Sequence, residues 1–309
     1  MGSETVIAVF CYKRAAKLKR CMEALLKNPE CKDMEIIFFA DGYKGETDRA
    51  GVLETRAVID ALTGFKKVIK HYREQNVTTG PNFKQGLQYL QSNYQQFIVV
   101  EDDLVVSPNY IRFLLDALDY YRLYKSVFCI TGFVYPVKTT NYTFDSIIYQ
   151  RFSSYGWAGW SDRFTNMIWD EQRLQKLLDT SPDFKRKMNA EGYDLVRMLK
   201  KQISGKISTW DVQLQAHIVQ NGLKVVYPTL SKVCNIGFDE ESTNTFGVNW
   251  MITPVDVGTQ RHFRFAPPAH IDKDLQRQIR KPFSLPQLIT RKIINTFIKV
   301  TNNVKKASA

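Results

Sequence analysis

The feature that most constrains the fold is a regular alternation, over roughly the first 130 residues, of short β-rich runs with amphipathic helical stretches. ETVIAVFCY reads as a strand, and AAKLKRCMEALLKN as a helix with Leu18, Met22, Leu25 and Leu26 at helical spacing. MEIIFFADG, KKVIKHYRE, QFIVVEDD and SVFCITGF supply four further strands. GETDRAGVLETRAVIDALTG, NFKQGLQYLQSNY and PNYIRFLLDALDYYRLY are the helices between them, the last opened by Ser107 as cap and Pro108 in the first turn. This rhythm predicts an α/β domain, a mixed Rossmann-like sheet flanked by helices on both faces.

Beyond about residue 135 the rhythm breaks. RFSSYGWAGWSDRF is aromatic and glycine-rich and fits no regular element; helices and the stretch NGLKVVYPTLSKVCNIGF follow. Neither an internal repeat nor a low-complexity segment occurs. At 309 residues and 44% hydrophobic content, the chain can bury a large core. No stretch approaches the roughly 20 consecutive apolar residues of a membrane-spanning helix, and MGSETVIAVF lacks the basic start of a signal peptide. A cytoplasmic protein is expected, in which the sequons at Asn76 and Asn141 carry no meaning. Five cysteines, without C-x-x-C spacing or a histidine pair, point to reduced, packed thiols.

The net charge of +12 calls for an anionic partner. Its distribution narrows the choice, because residues 280–309 hold seven basic side chains and no acid. The remainder is only mildly basic, which argues against nucleic acid.

In a parallel α/β sheet, ligands gather at the carboxyl ends of strands, where FFADG and FIVVEDD both place acids. Three successive carboxylates, Glu101, Asp102 and Asp103, repel one another unless a cation or hydrogen-bond donors balance them. Oxygen ligands of this kind suit Mg²⁺ or Mn²⁺, completed by water and substrate phosphates. The alternative is a solvated acidic cap on the helix after Pro108.

V-I-A-V-F-C-Y-K-R, F-A-D-G and V-V-E-D-D-L-V-V-S-P-N-Y together resemble the GT-A glycosyltransferases, in particular N-acetylglucosaminyltransferase I of the Golgi and its bacterial relatives, over residues 5 to 245. The resemblance implies a nucleotide-sugar-binding half (1–135), an acceptor-side half of the same domain (136–260) and a C-terminal basic amphipathic extension (261–309). It further implies a UDP-sugar donor with Mn²⁺ or Mg²⁺. Asp103 would bind the metal, Asp102 ribose or sugar hydroxyls, and Glu101 the donor sugar or a metal-bound water. Phe10 and Arg14 of the first motif would contact the nucleotide, and Asp41 the imide N–H of uracil. Arg14 on a solvated loop and Asp41-Gly42 as a simple turn are the plainer alternatives. Arg73 and Lys84 are weaker candidates for phosphate contact.

Ser208-Thr209-Trp210-Asp211-Val212-Gln213 is similar to the W-D-D segment of the same family, which implies Asp211 as the base that deprotonates the acceptor hydroxyl in an inverting transfer. Val212 replaces the second acid. The other reading has Thr209 or Asp211 capping the helix VQLQAHIVQNG. Tyr155-Gly156-Trp157 and Trp160 resemble the family's G-W loops, in which Trp157 would line the sugar pocket. Asn235-Ile-Gly-Phe-Asp-Glu-Glu-Ser-Thr resembles a segment that folds over the donor in bacterial sugar transferases. His217, in mid-helix, is expected to be packed.

From Leu285, the apolar residues Ile289, Ile293, Phe297, Val300 and Val304 recur every three or four positions among basic ones, predicting an amphipathic helix over 285–306. Such a helix suits an anionic membrane surface, here the inner face of the plasma membrane, with a glycan or lipid-linked acceptor as in lipopolysaccharide or capsule assembly. Packing against its own domain or a partner is the alternative. Two rival functions remain: a sugar-1-phosphate nucleotidyltransferase, disfavoured because FCYKRAAKLKR lacks a glycine-rich phosphate loop, and a non-catalytic polyanion-binding protein.

Overall fold

The structure, a computed structural model, describes residues 5–237 and 252–307, with residues 297–307 as backbone only. The chain runs through β1 (Thr5–Cys11), α1 (Ala15–Leu25), β2 (Glu35–Ala40), α2 (Glu46–Asp60), β3 (Lys67–Tyr72), α3 (Thr79–Asn93) and β4 (Gln96–Glu101). It continues with β5 (Leu104–Val106), α4 (Tyr110–Tyr121), β6 (Val127–Thr131), β7 (Ser146–Tyr149) and β8 (Trp157–Trp160). Four helices follow, α5 (Glu171–Thr180), α6 (Pro182–Glu191), α7 (Leu195–Ile203) and α8 (Asp211–Gln220), then β9 (Lys224–Pro228), β10 (Val233–Asn235), α9 (Lys273–Arg280) and α10 (Leu285–Ala307).

Among the described residues, eight strands form one sheet in the order β3-β2-β1-β4-β8-β6-β9-β7. The first four are parallel, joined by the helices that the alternation predicts. Val6 to Val9, Ile36 to Phe38 and Phe97 to Val100 are fully buried. Helices cover both faces of this part of the sheet, so its inner strands read as unbroken apolar runs. β8 is antiparallel to both β4 and β6, β9 is parallel to β6, and β7 closes the edge antiparallel to β9. The sheet is the mixed, Rossmann-like kind expected.

Two local expectations are corrected. Residues 157–160 form β8 although the W-A-G-W stretch gives no strand signal; Gly159 weakens that signal, yet its backbone pairs with Phe97 on one side and Cys129 on the other. The helix after the acids begins at Tyr110 with Asn109 at the cap position, not at Ser107-Pro108. Residues 104–106 instead form β5, because β10 offers them a pairing partner.

The core continues past residue 261: Phe265, Ala266, Leu275, Ile279 and Phe283 are buried in the same cluster as the sheet. The packed domain therefore reaches Phe283, beyond the boundary at residue 261 that the sequence suggests, and the first turns of α10 still lean on it, with Leu288, Arg291 and Asn295 half-buried and the Arg291 guanidinium 6.0 Å from the Phe283 ring. A buried ion pair between Lys232 and Asp256, with Asn109 Nδ2 donating to the same carboxylate at 3.1 Å, ties the segment after residue 252 to the start of α4. A second apolar cluster, including Leu174, Leu178, Phe184, Met188, Leu195 and Leu199, binds α5, α6 and α7 to Val212 and Val219 of α8.

Candidate active site

β4 ends at Glu101, and the chain turns at Asp102-Asp103 into β5. The pairing of β5 with β10 clamps this turn, and the backbone N–H of Ile236 donates to the Asp103 carbonyl at 2.8 Å. The three acids thus stand where the sequence places them, at the carboxyl end of a central strand. Asp102 and Asp103 are buried, at 2% and 7% exposure.

The cation facing them is Arg14, from the turn after β1. Its Nη2 donates to Asp102 Oδ1, and its Nη1 to Asp103 Oδ2 at 2.9 Å. Burial alone would lower the Arg14 pKa, but the charges of Asp102 and Asp103 outweigh it and keep the guanidinium ionised. Arg14 therefore lies on neither a solvated loop nor an open phosphate site; it spans both carboxylates. Burial pushes Asp102 up to about 6 despite the pull of Arg14. Burial, with the charges of Asp103 and Asp102, also raises Glu101 well above the carboxylate range. Three acids against one arginine leave the cluster short of positive charge.

Among the described residues, no group of three or more His, Cys, Asp or Glu side chains forms a ready metal cage. Asp103 Oδ1, however, is buried without a hydrogen-bond partner. An orphaned carboxylate oxygen in an acidic cluster fits a hard divalent cation, and Mg²⁺ in particular takes only one or two carboxylates from the protein. Gly237 packs so closely on Asp103 that a Cβ there would overlap Oδ2, and Asn235 Oδ1 stands 3.0 Å from the same position. Gly237→Ala is expected to push the Asp103 carboxylate out of place and weaken Mn²⁺ binding by about tenfold or more, with little change in thermal midpoint. Titration calorimetry and a melting curve check both parts.

Asp211 is the first residue of α8. Its Oδ1 accepts from Thr209 Oγ1 and, at 2.7 Å, from the Val212 N–H, so one oxygen of the carboxylate is fixed in place. Trp210 stacks on Phe83 of α3 with ring centroids 3.7 Å apart and planes inclined by 10°. Ser208 Oγ lies 3.1 Å from Thr78 Oγ1. These contacts dock the segment on α3, near enough to the acids for Asp211 to add to the rise in the Glu101 pKa.

The aromatic loop divides. Trp157 is fully buried, its ring packed against Phe97 (5.7 Å), Phe152 (5.4 Å) and Phe164 (5.8 Å). It is a core residue behind the site, and its expected place in a sugar pocket is corrected: as a β8 residue its side chain enters the core. Tyr155, just before the strand, packs edge-on to Phe133 with ring centroids 5.1 Å apart. Burial raises its pKa, with further contributions from Glu101, Asp103 and Asp211. Tyr155 lies outside β8, and Gly156 between the two has φ +62°, so the chain changes direction there before the strand begins.

Asp41 follows β2 directly and is buried; its Oδ1 accepts from the Gly42 and Val77 N–H groups at 2.9 and 3.0 Å. Half of this carboxylate organises the turn, and Oδ2 makes no hydrogen bond among the described residues. Phe10, in register with Glu101, stacks on Phe39 at 5.0 Å and remains partly exposed. Arg73 bonds Asn82 Oδ1 at 2.7 Å, and Lys84 Nζ sits 5.3 Å from the Trp169 ring, so both serve packing. His217 is buried against Phe128, as expected. Gly237 gave its sign only in the N-I-G-F stretch, whose continuation, residues 238–245, lies outside the described residues.

The profile of glycosyl transferase family 2 matches residues 6–189. No curated protein matches the chain. Solved structures with a similar chain path include 4-diphosphocytidyl-2C-methyl-D-erythritol synthase from Anaerococcus prevotii, at 10% identity, covering 77% of this chain and 95% of that one with a TM-score of 0.37. S. aureus TarS aligns at 9% identity over 76% of this chain with a TM-score of 0.43, and the chain spans 37% of its length. Mouse xyloside xylosyltransferase 1 in its apo form aligns at 14% identity over 57% of this chain and 75% of its own, with a TM-score of 0.36. The profile covers more than half of the chain, including the parallel strands β1 to β4, Arg14 and the acids, and so this protein belongs to glycosyl transferase family 2.

Proposed function

We propose that the protein is a metal-dependent, inverting glycosyltransferase that moves a sugar from a UDP-sugar to a hydroxyl of a glycan or lipid-linked acceptor. One observation carries this reading: an acidic cluster with an unpaired carboxylate oxygen, Asp103 Oδ1, stands at the end of the central strand, and a further carboxylate on a separate element, Asp211, lies near enough for its charge to reach Glu101. The free oxygen of Asp211 takes the acceptor hydroxyl proton as that oxygen attacks, while Thr209 and the Val212 N–H hold the carboxylate in place. Asp41 Oδ2 accepts from the uracil imide, Phe10 lies beneath the nucleoside, and Asp102 meets ribose or sugar hydroxyls. Asp103 would hold Mn²⁺ or Mg²⁺, which when bound supplies the Lewis acidity that neutralises a departing diphosphate.

The test is hydrolysis of a panel of nucleotide sugars with and without Mn²⁺. Turnover confined to a UDP-sugar and dependent on the cation is expected. Metal-independent turnover would overturn the reading, and so would pyrophosphate release from a nucleoside triphosphate and a sugar 1-phosphate.

We also propose that α10 rests on an anionic lipid surface on the cytoplasmic side. No helix among the described residues is long and apolar enough to cross a membrane. Along α10, Leu285, Ile289 and Ile293, each four residues on from the last, are 53%, 51% and 61% exposed, an apolar stripe left open. Lys292, Lys299, Lys305 and Lys306 lie on the same helix, and each basic group near such a surface contributes about 1 kcal/mol. Because Phe283 is buried with the Arg151 guanidinium 3.4 Å above its ring, the cut belongs after Ser284. Removing residues 285–309 is expected to abolish sedimentation with vesicles containing anionic lipid while transfer to a soluble acceptor persists. Undiminished sedimentation would refute the attachment.

A further inference from the structure

We propose that Arg14 is an exchangeable occupant of the cation site: it neutralises Asp102 and Asp103 until metal and nucleotide arrive together, and then gives up the carboxylates. The inference rests on the metal-dependent reading above and adds an order of events to it.

Three observations support it. First, Arg14 engages both acids at once, with Nη1 on Asp103 Oδ2 and Nη2 on Asp102 Oδ1, so a cation seated on the unpaired Asp103 Oδ1 shares that carboxylate with the guanidinium and is repelled by its charge, and one that also took Asp102 would displace it. Second, the partners differ in freedom. The carboxylates are 2% and 10% exposed at the side chain and sit in a turn clamped by β10, whereas the Arg14 side chain is 21% exposed on the loop between β1 and α1. Arg14 is the partner able to leave. Third, the backbone at Arg14 caps α1 without a side-chain hydrogen bond, so moving the side chain sacrifices no helix contact.

Charge bookkeeping sets the direction of the exchange. A divalent cation brings one more positive charge to an acidic cluster than Arg14 does. Displaced Arg14, however, would be a partly buried guanidinium without a counter-ion, which is unfavourable unless an anion meets it. The diphosphate of an incoming nucleotide is such an anion, with oxygens matched to the planar donor fork. Metal alone should therefore bind weakly and nucleotide alone modestly, and each should strengthen the other by the same factor.

Mn²⁺ binding followed by the electron paramagnetic resonance signal of the free ion tests this without reference to turnover. For the wild-type protein without nucleotide, weak binding is expected; in Arg14→Gln, which removes the competing charge, Mn²⁺ should bind about tenfold more tightly. Coupling between Mn²⁺ and UDP should shrink in the variant by a similar factor. Arg14→Lys retains a charge but no fork, so it should lie between the two, and it supplies the measurement if the glutamine variant fails to fold. Equal or weaker Mn²⁺ affinity in Arg14→Gln, with normal Mn²⁺ binding by wild type plus UDP, would overturn the exchange alone. Absence of Mn²⁺ binding by wild type even with UDP would overturn the metal-dependent reading and the exchange with it.

Discussion

Replacing Asp211 with asparagine is expected to lower kcat for sugar transfer by about 10²- to 10⁴-fold, the usual worth of a positioned general base. Asparagine keeps an oxygen for the Val212 N–H and the Thr209 hydroxyl, so the start of α8 survives and the loss is one of proton acceptance. Affinity for UDP and Mn²⁺ should stay within about twofold, because the proposed role of Asp211 is toward the acceptor hydroxyl and not the nucleotide. Steady-state transfer to a soluble acceptor, beside calorimetric titration of UDP, separates the two. A variant with unreduced kcat would remove Asp211 from the chemistry.

Asp103→Asn should have the complementary signature, an affinity loss before a rate loss. Altering groups that merely orient metal ligands weakens binding about 10- to 100-fold, and loss of the ligand's own charge should reach or exceed the upper end of that range. Stability should move the other way. Asp103 is crowded by Glu101 and Asp102, and one of its oxygens is buried without a partner; asparagine removes that repulsion while its side-chain oxygen still accepts from Arg14 Nη1 and Asp102 keeps its ion pair with Arg14. A thermal midpoint equal to or above wild type, with UDP affinity no longer enhanced by Mn²⁺, is the expected pair of results. Retained Mn²⁺ enhancement would exclude Asp103 as the ligand.

How much of this was legible in the sequence depended on the range of the interactions. β1, β2, β4 and β6 are continuous runs rich in Val, Ile and Phe, and buried strands announce themselves that way. The end of β4 was legible for the same reason, and with it the position of the acids. The partner of those acids was not, because Arg14 lies 88 residues from Asp102 and meets it only through the pairing of β1 with β4. Trp157 and Tyr155 were inseparable without knowing that a strand begins between them. The closeness of Gly237 to Asp103 follows from a three-residue ladder, β5 with β10, too short to signal itself.

β8 has a further consequence. It carries ladder bonds to β4 on one side and to β6 on the other, so the parallel strands β1 to β4 and the later strands are stitched into a single plate. A clam-like swing of one half against the other would have to tear those bonds across the middle of the molecule. Whatever admits and releases reactants must therefore happen at the rim, through rotamer changes and short backbone shifts above an unmoving floor.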